Sequence, residues 1–63
     1  MKEIKEYRKT RGMSQAELAK RVGVERSTVA KWESGSNHPQ AAHLVKLAEI
    51  FGCSVDELLG RGI

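Results

Sequence analysis

The chain has 63 residues, with 11 basic side chains, 8 acidic ones, a net charge of +3 and one cysteine. A chain of this length buries only about 60% of the surface that its unfolded form exposes. We therefore expect a single domain, residues 1–63, with little room for a catalytic pocket. No apolar stretch reaches the 18 residues of a membrane-spanning helix, and one cysteine cannot form an internal disulfide, which favours a cytoplasmic protein.

The charge is unevenly distributed along the chain. Residues 1–31 hold nine basic and four acidic side chains, a net charge of +5, whereas residues 32–63 hold two basic and four acidic ones, a net charge of −2. A basic half next to an acidic half indicates a polyanionic partner for the basic one. Solvated, lysine-rich helix faces would give the same distribution, so charge alone leaves both interpretations open.

Start and stop signals divide the chain into five short segments. Ser14 followed by Glu17, and Ser54 followed by Glu57, match the capping box that starts a helix, and Pro39 suits a first helical turn. Glycine is favoured just after a helix, and five glycines occupy such places: Gly12, Gly23, Gly35, Gly52 and Gly60. These signals predict an all-α fold of five helices, at 2–11, 14–21, 25–34, 39–51 and 54–59.

The second and third helices form a tight pair. Only Gly23, Val24 and a capping residue separate them, and so short a connection makes two helices cross steeply, as in a helix-turn-helix, here at about residues 14–34. On a helical wheel, Val29 and Trp32 lie on one half of the third helix. The other half carries short side chains beside basic ones, namely Arg26, Ser27, Ala30 and Lys31. Short side chains allow close approach and basic ones donate to guanine or phosphate, so this half is predicted to enter the major groove of double-stranded DNA.

The segment MSQAELAKRVGVERSTVAKWESG, residues 13–35, resembles the helix-turn-helix of the Cro/CI-type phage repressors, the xenobiotic-response-element family. The likeness continues through HLVKLAEIFGCSVDELL and covers about residues 3–59. The resemblance implies a compact, five-helix, lambda-repressor-like DNA-binding domain. It also implies a transcriptional regulator, a repressor that binds a palindromic operator as a homodimer.

The resemblance further implies roles for individual side chains. Arg26, Ser27 and Lys31 would read base edges, and Ala30 would touch a thymine methyl group. Contacts with DNA phosphates would come from a second set: Gln15, Thr28, Ser34, Ser36 and Asn37. A structural ion pair would join Arg8 to Glu33, whose charge is unfavourable in the last turn of a helix.

Two positions depart from the family pattern. Glu25 stands where family members often carry serine or threonine, and its carboxylate either repels phosphate or accepts a hydrogen bond from a cytosine amino group. The loop at residues 34–40 lacks the basic residue often seen there. This second departure predicts modest affinity for the DNA backbone.

The remaining distinctive residues indicate packing rather than chemistry. Trp32, Met13 and Cys53 are expected to lie in or beside the core. His38, His43 and Cys53 match no metal-ligand spacing and lack an orienting partner for a nucleophile. We therefore expect no metal, no cofactor and no enzymatic activity.

A dimer is expected because one small domain gains little specificity from a single half-site. Its surface is predicted on the fifth helix and the tail, at Leu59, Ile63 and Ile50, with an ordinary core role as the alternative for Leu59. The alternative function is that of an antitoxin, or another protein-interaction module of a toxin–antitoxin pair. That interpretation would give the chain a toxin partner in addition to DNA.

Overall fold

The structure, a computed structural model, describes residues 1–61. This part of the chain contains helices and no strand, which confirms the predicted all-α fold. No helix within it is long and apolar enough to cross a membrane. Five helices follow one another: α1 Lys2–Thr10, α2 Gln15–Val22, α3 Arg26–Ser34, α4 Ala41–Phe51 and α5 Val55–Leu58.

Two capping boxes define where α2 and α5 begin. Ser14 and Ser54 have extended backbones, so each helix starts one residue later than predicted. The Ser14 hydroxyl accepts a hydrogen bond from the backbone N–H of Glu17 at 3.1 Å, and the Ser54 hydroxyl accepts one from Glu57 at 3.0 Å. Each glutamate carboxylate accepts the serine N–H in return. A cap of this kind contributes about 1 kcal/mol to stability.

Helix α4 begins at Ala41, two residues after the start predicted at Pro39. Gln40 is the capping residue and has an extended backbone, with ψ at 166°. Helical geometry therefore begins only at Ala41, and Pro39 lies in the loop before the cap instead of in the first turn. Its side chain is buried.

All five helices contribute apolar side chains to one core. Its buried members are Ile4, Met13, Leu18, Ala19, Val29, Trp32, Leu47, Phe51 and Leu58. Cys53 packs against this core but is only partly buried. Tyr7 stacks on Phe51 with ring centroids 5.5 Å apart, and the Arg11 guanidinium lies over both rings while donating to the Phe51 carbonyl at the end of α4. These contacts join α1 to α4.

The turn between α2 and α3 determines how the two helices cross. Gly23 has a φ of 89°, a conformation that glycine adopts without strain. The N–H groups of Gly23 and Val24 both donate to the Ala19 carbonyl, at 2.8 and 3.0 Å. The Val24 side chain packs against the core. This short turn places the inner half of α3 on the core and leaves its outer half in solvent.

Candidate nucleic-acid interface

The exposed half of α3 carries the four residues predicted to read bases. Burial of Val29 and Trp32, which are 0% and 2% exposed, sets the rotation of the helix. On the opposite half the side chains are exposed, except that Ala30 is half-buried. We call this half the outer face of α3: Arg26, Ser27, Ala30 and Lys31.

The outer face combines a depression with free positive charges. A depression of about 440 Å³ is lined by Glu25, Arg26, Ser27 and Ala30. Within residues 1–61, neither Arg26 nor Lys31 forms an ion pair, and Arg8 and Glu33 form the one that is present. The two basic groups on α3 are therefore available to an anionic partner.

Three of the five predicted phosphate contacts cluster at the C-terminal end of α3. The Ser34 hydroxyl donates to the Lys31 carbonyl at 3.1 Å and lies 3.0 Å from the Ser36 hydroxyl. The Asn37 N–H donates to the same carbonyl at 3.3 Å. These bonds fold the loop back onto the helix end and leave the side chains of Ser34, Ser36 and Asn37 exposed. Thr28 is half-buried on the flank of α3.

The fifth predicted phosphate contact, Gln15, has a partner inside the protein. Its amide Nε2 donates to Glu33 Oε1 at 3.0 Å. Sequence reasoning missed this bond, since nothing local to Gln15 indicates a partner 18 residues away. An amide nitrogen carries two protons, so one remains for an outside acceptor.

Glu33 is also held by Arg8. The Arg8 Nε and Nη2 donate to the two carboxylate oxygens at 2.7 and 3.1 Å, and Nη1 donates to the Met13 carbonyl at 2.8 Å. The side chains of the pair are 10% and 5% exposed. We call this set the Arg8–Glu33–Gln15 network. It joins α1 to the start of α2 and the end of α3.

The network lowers the pKa of the Glu33 carboxyl. Burial alone raises that pKa, but hydrogen bonds from Arg8 and Gln15 and the charges of Arg8 and Lys5 outweigh the effect of burial. Glu33 is therefore ionised at neutral pH. Its negative charge near the C-terminus of α3, which the helix dipole disfavours, is compensated by the guanidinium.

Comparison with known proteins gives a consistent set of relatives. The model of a helix-turn-helix family matches residues 4–58. An uncharacterized HTH-type transcriptional regulator of Archaeoglobus fulgidus is 40% identical over 55 residues, which cover 87% of this chain and 79% of the relative. No solved structure matches significantly.

Two relatives have a described direction of regulation. The cryptic phage CTXphi transcriptional repressor RstR of Vibrio cholerae is 39% identical over 86% of this chain and 48% of its own. The HTH-type transcriptional activator BcrR of Enterococcus faecalis is 32% identical over 89% of this chain and 28% of its own. The chain thus spans half or less of these two longer proteins.

The relatives are named as transcriptional regulators, not as enzymes. The match extends from α1 to α5 and includes the tight pair of α2 and α3. The chain therefore belongs to the Cro/CI-type helix-turn-helix family of DNA-binding transcriptional regulators.

Proposed function

We propose that the protein is a sequence-specific repressor that binds a palindromic operator in double-stranded DNA as a homodimer in the cytoplasm. One observation carries the proposal: the outer face of α3 faces solvent and holds two basic side chains that form no ion pair with any residue from 1 to 61, beside the short side chains of Ser27 and Ala30. Such a helix fits the major groove. In this proposal Arg26, Ser27 and Lys31 contact base edges and Ala30 contacts a thymine methyl group.

The proposed backbone contacts lie at the two ends of the helix pair. Gln15, at the first position of α2, offers its second amide proton and nearby backbone N–H groups to a phosphate, assisted by the positive end of the helix dipole. Ser34, Ser36 and Asn37 offer exposed polar groups at the end of α3, and Thr28 flanks the groove. These contacts position the protein on the duplex and carry no sequence information of their own.

A dimer would suit the dimensions of the domain. The protein measures 30 × 23 × 19 Å, so two copies can lie side by side with their α3 helices about 34–36 Å apart, one turn of DNA. Ile50 and Leu59 are half-buried in the single chain and so present apolar surface to a second copy. Ile63, the third residue of the proposed surface, lies outside the described residues.

We propose repression rather than activation because repression requires only that a DNA-binding domain occupies its operator. A domain that occupies an operator excludes other proteins from it without any further contact. The repressor RstR is similar to this chain over most of the chain's length. BcrR, an activator, shows that a relative can also act in the other direction.

Ala30→Glu tests the proposed function directly. The change adds bulk and negative charge at the centre of the outer face, so we expect loss of DNA binding with little change in melting temperature. Val45→Glu is the control, because Val45 is 52% exposed on α4. The measurements are thermal melting and fluorescence anisotropy on a duplex selected from random sequences at a stated salt concentration.

Substitution of single basic residues should distinguish side chains that contact particular bases from those that do not. Arg26→Ala and Lys31→Ala should relax the preference at particular base pairs, since a good base contact discriminates by about 1–3 kcal/mol. Lys20→Ala and Lys46→Ala are matched changes of exposed lysines elsewhere and should leave that preference unchanged.

The Ala30→Glu variant also tests the alternative function. If the folded variant binds DNA normally, the outer face of α3 does not contact DNA, and the toxin–antitoxin interpretation is favoured.

A further inference from the structure

Glu25 occupies the capping position of α3 without capping the helix through its side chain. Its backbone is extended, as a cap requires, but the carboxylate makes no capping hydrogen bond. Ser14 and Ser54, at the same position of α2 and α5, do accept one. Serine, threonine, aspartate and asparagine are the favoured residues at such a position. The negative charge of Glu25 suits the positive end of the α3 dipole, but its carboxylate oxygens remain free to accept hydrogen bonds from a partner outside the helix.

The Glu25 carboxylate lies beside the residues proposed to read DNA. Its side chain is exposed and lines the depression formed with Arg26, Ser27 and Ala30. In residues 1–61 it forms no ion pair, not even with the adjacent Arg26. Residues at the N-terminal end of a recognition helix are the ones that contact base edges. With α3 in the major groove as proposed, Glu25 would face the base pairs rather than the outer rim of the interface.

A free carboxylate in that place is unfavourable unless DNA supplies a donor. Docking removes its water and brings it among phosphates, and an ionised group buried without a partner is strongly destabilising. The donors exposed in the major groove are the amino groups of cytosine and adenine. Adenine presents the N7 acceptor next to its amino group, and this acceptor repels the second carboxylate oxygen. Guanine and thymine present acceptors alone, so cytosine is the base that fits.

We propose that Glu25 accepts a hydrogen bond from the N4 amino group of a cytosine and so selects a C·G pair in each half-site. This inference rests on the proposed function. The unpaired carboxylate makes every other base pair at that position unfavourable, so Glu25 contributes specificity through rejection as well as attraction. It does so at the expense of general affinity for DNA, because it offsets one of the nearby positive charges.

The test selects bound sequences from a random duplex library, separately for the wild type and three variants. Glu25→Gln keeps the shape of the side chain and removes its charge. Glu25→Ser restores a good helix cap and removes the reach of the side chain. Glu6→Gln is the charge-matched control, since Glu6 is exposed on α1 and lines a different depression with Tyr7 and Glu57.

We expect the wild type and Glu6→Gln to select the same sequence, with cytosine at one position of the half-site. At that position C·G should be favoured over the other pairs by about 5- to 150-fold in anisotropy titrations. Glu25→Gln should move the preference to adenine, whose N6 and N7 suit an amide. Glu25→Ser should show no preference there and should keep the rest of the site.

A different pattern would overturn the inference. If Glu25 only repels phosphate, Glu25→Gln selects the unchanged sequence, binds every duplex more tightly by one common factor and has a salt slope steeper by about one unit. In that case the proposed function stands and the cytosine contact is wrong. If the wild type selects no sequence from the library, the proposed function fails and the cytosine contact fails with it.

Discussion

Glu33 carries a negative charge at a position where its own helix disfavours one, and hydrogen bonds from other helices stabilise that charge. It lies in the last turn of α3, where the helix dipole disfavours an anion. Both of its carboxylate oxygens accept from the Arg8 guanidinium, and one also accepts from Gln15. In residues 1–61 no buried side-chain nitrogen or oxygen lacks a hydrogen-bond partner. The Arg8–Glu33–Gln15 network is therefore stable as a unit and sensitive to the loss of any member.

Arg8→Ala should strongly destabilise the protein. It leaves the Glu33 carboxylate, 5% exposed, without its main partner, and breaking a buried pair on one side costs about 3–5 kcal/mol. For a domain of this size that corresponds to a fall in melting temperature of about 12 °C or more. Lys9→Ala, an exposed neighbour on α1, is the control. Equal melting temperatures for the two variants would show that the ion pair contributes nothing to stability.

The lowered pKa of Glu33 predicts a loss of stability in acid. A carboxyl whose pKa is lower in the folded than in the unfolded state stabilises the fold above its ordinary value, here 4.5. That contribution is lost as the pH falls from 4.5 through the folded-state pKa. Urea denaturation at several pH values should show this decline, and Glu33→Gln should reduce it. Parallel pH profiles for the two proteins would assign the decline to other groups, such as Glu57, whose pKa is also lowered by its hydrogen bonds with Ser54.

At the level of elements, the stability of α2 and α3 depends on the connection between them, because neither helix is stable alone. Helices of 8 and 9 residues are too short to be stable in isolation. Their packing on each other and on the core stabilises them, and the Gly23–Val24 turn makes that packing possible. The direction of the outer face of α3 follows from the conformation of this turn together with the burial of Val29 and Trp32.

Gly23→Ala isolates the backbone contribution of this turn. A Cβ atom at position 23 would meet no atom within 4 Å, so steric contact adds nothing. The positive φ alone should cost about 1–2 kcal/mol of unfolding free energy in urea. Gly23→Asn should cost less, because asparagine adopts this conformation more readily. A larger loss for asparagine than for alanine would contradict a purely conformational origin.

Over the whole molecule, the basic half of the sequence, residues 1–31, holds α1, α2 and most of α3, and the acidic half, residues 32–63, holds α4 and α5. Nine of the eleven basic side chains precede residue 32, and α4 and α5 follow it. The residues proposed to contact bases and the proposed dimer surface thus come from segments of opposite net charge. Such an arrangement directs a polyanion to one surface and leaves the other to a second copy of the chain.

Leu59→Asp should weaken dimer formation on DNA. Leu59 is half-buried, so a charge there should reduce two-subunit occupancy of a palindrome in band-shift titrations. Ile63→Asp should act in the same direction. Thermal melting of Leu59→Asp distinguishes the alternative core role, which predicts unfolding of the single chain. Undiminished two-subunit binding by both folded variants would move the dimer surface elsewhere.

Local signals predicted the helices, whereas contacts across the chain could not be predicted. Capping boxes at Ser14 and Ser54 and the spacing of Val29 and Trp32 act within a few residues, so the sequence alone locates five helices and the inner half of α3. The hydrogen bond of Gln15 depends on how closely the start of α2 and the end of α3 approach each other, a distance that the short connection alone does not specify. The roles on DNA follow from resemblance and remain predictions.

The bond between Gln15 and Glu33 has a consequence for the entropy of the proposed contact between Gln15 and DNA. A glutamine side chain that becomes ordered loses rotamer freedom worth about 1.5–2 kcal/mol. Because Glu33 already holds the Gln15 amide at 3.0 Å, most of that freedom is lost when the chain folds. An acceptor that arrives at the second amide proton meets a group that is already oriented. If Gln15 contacts a phosphate as proposed, this earlier ordering increases the affinity rather than the rate of association, because rotamer changes of exposed side chains take only picoseconds to nanoseconds.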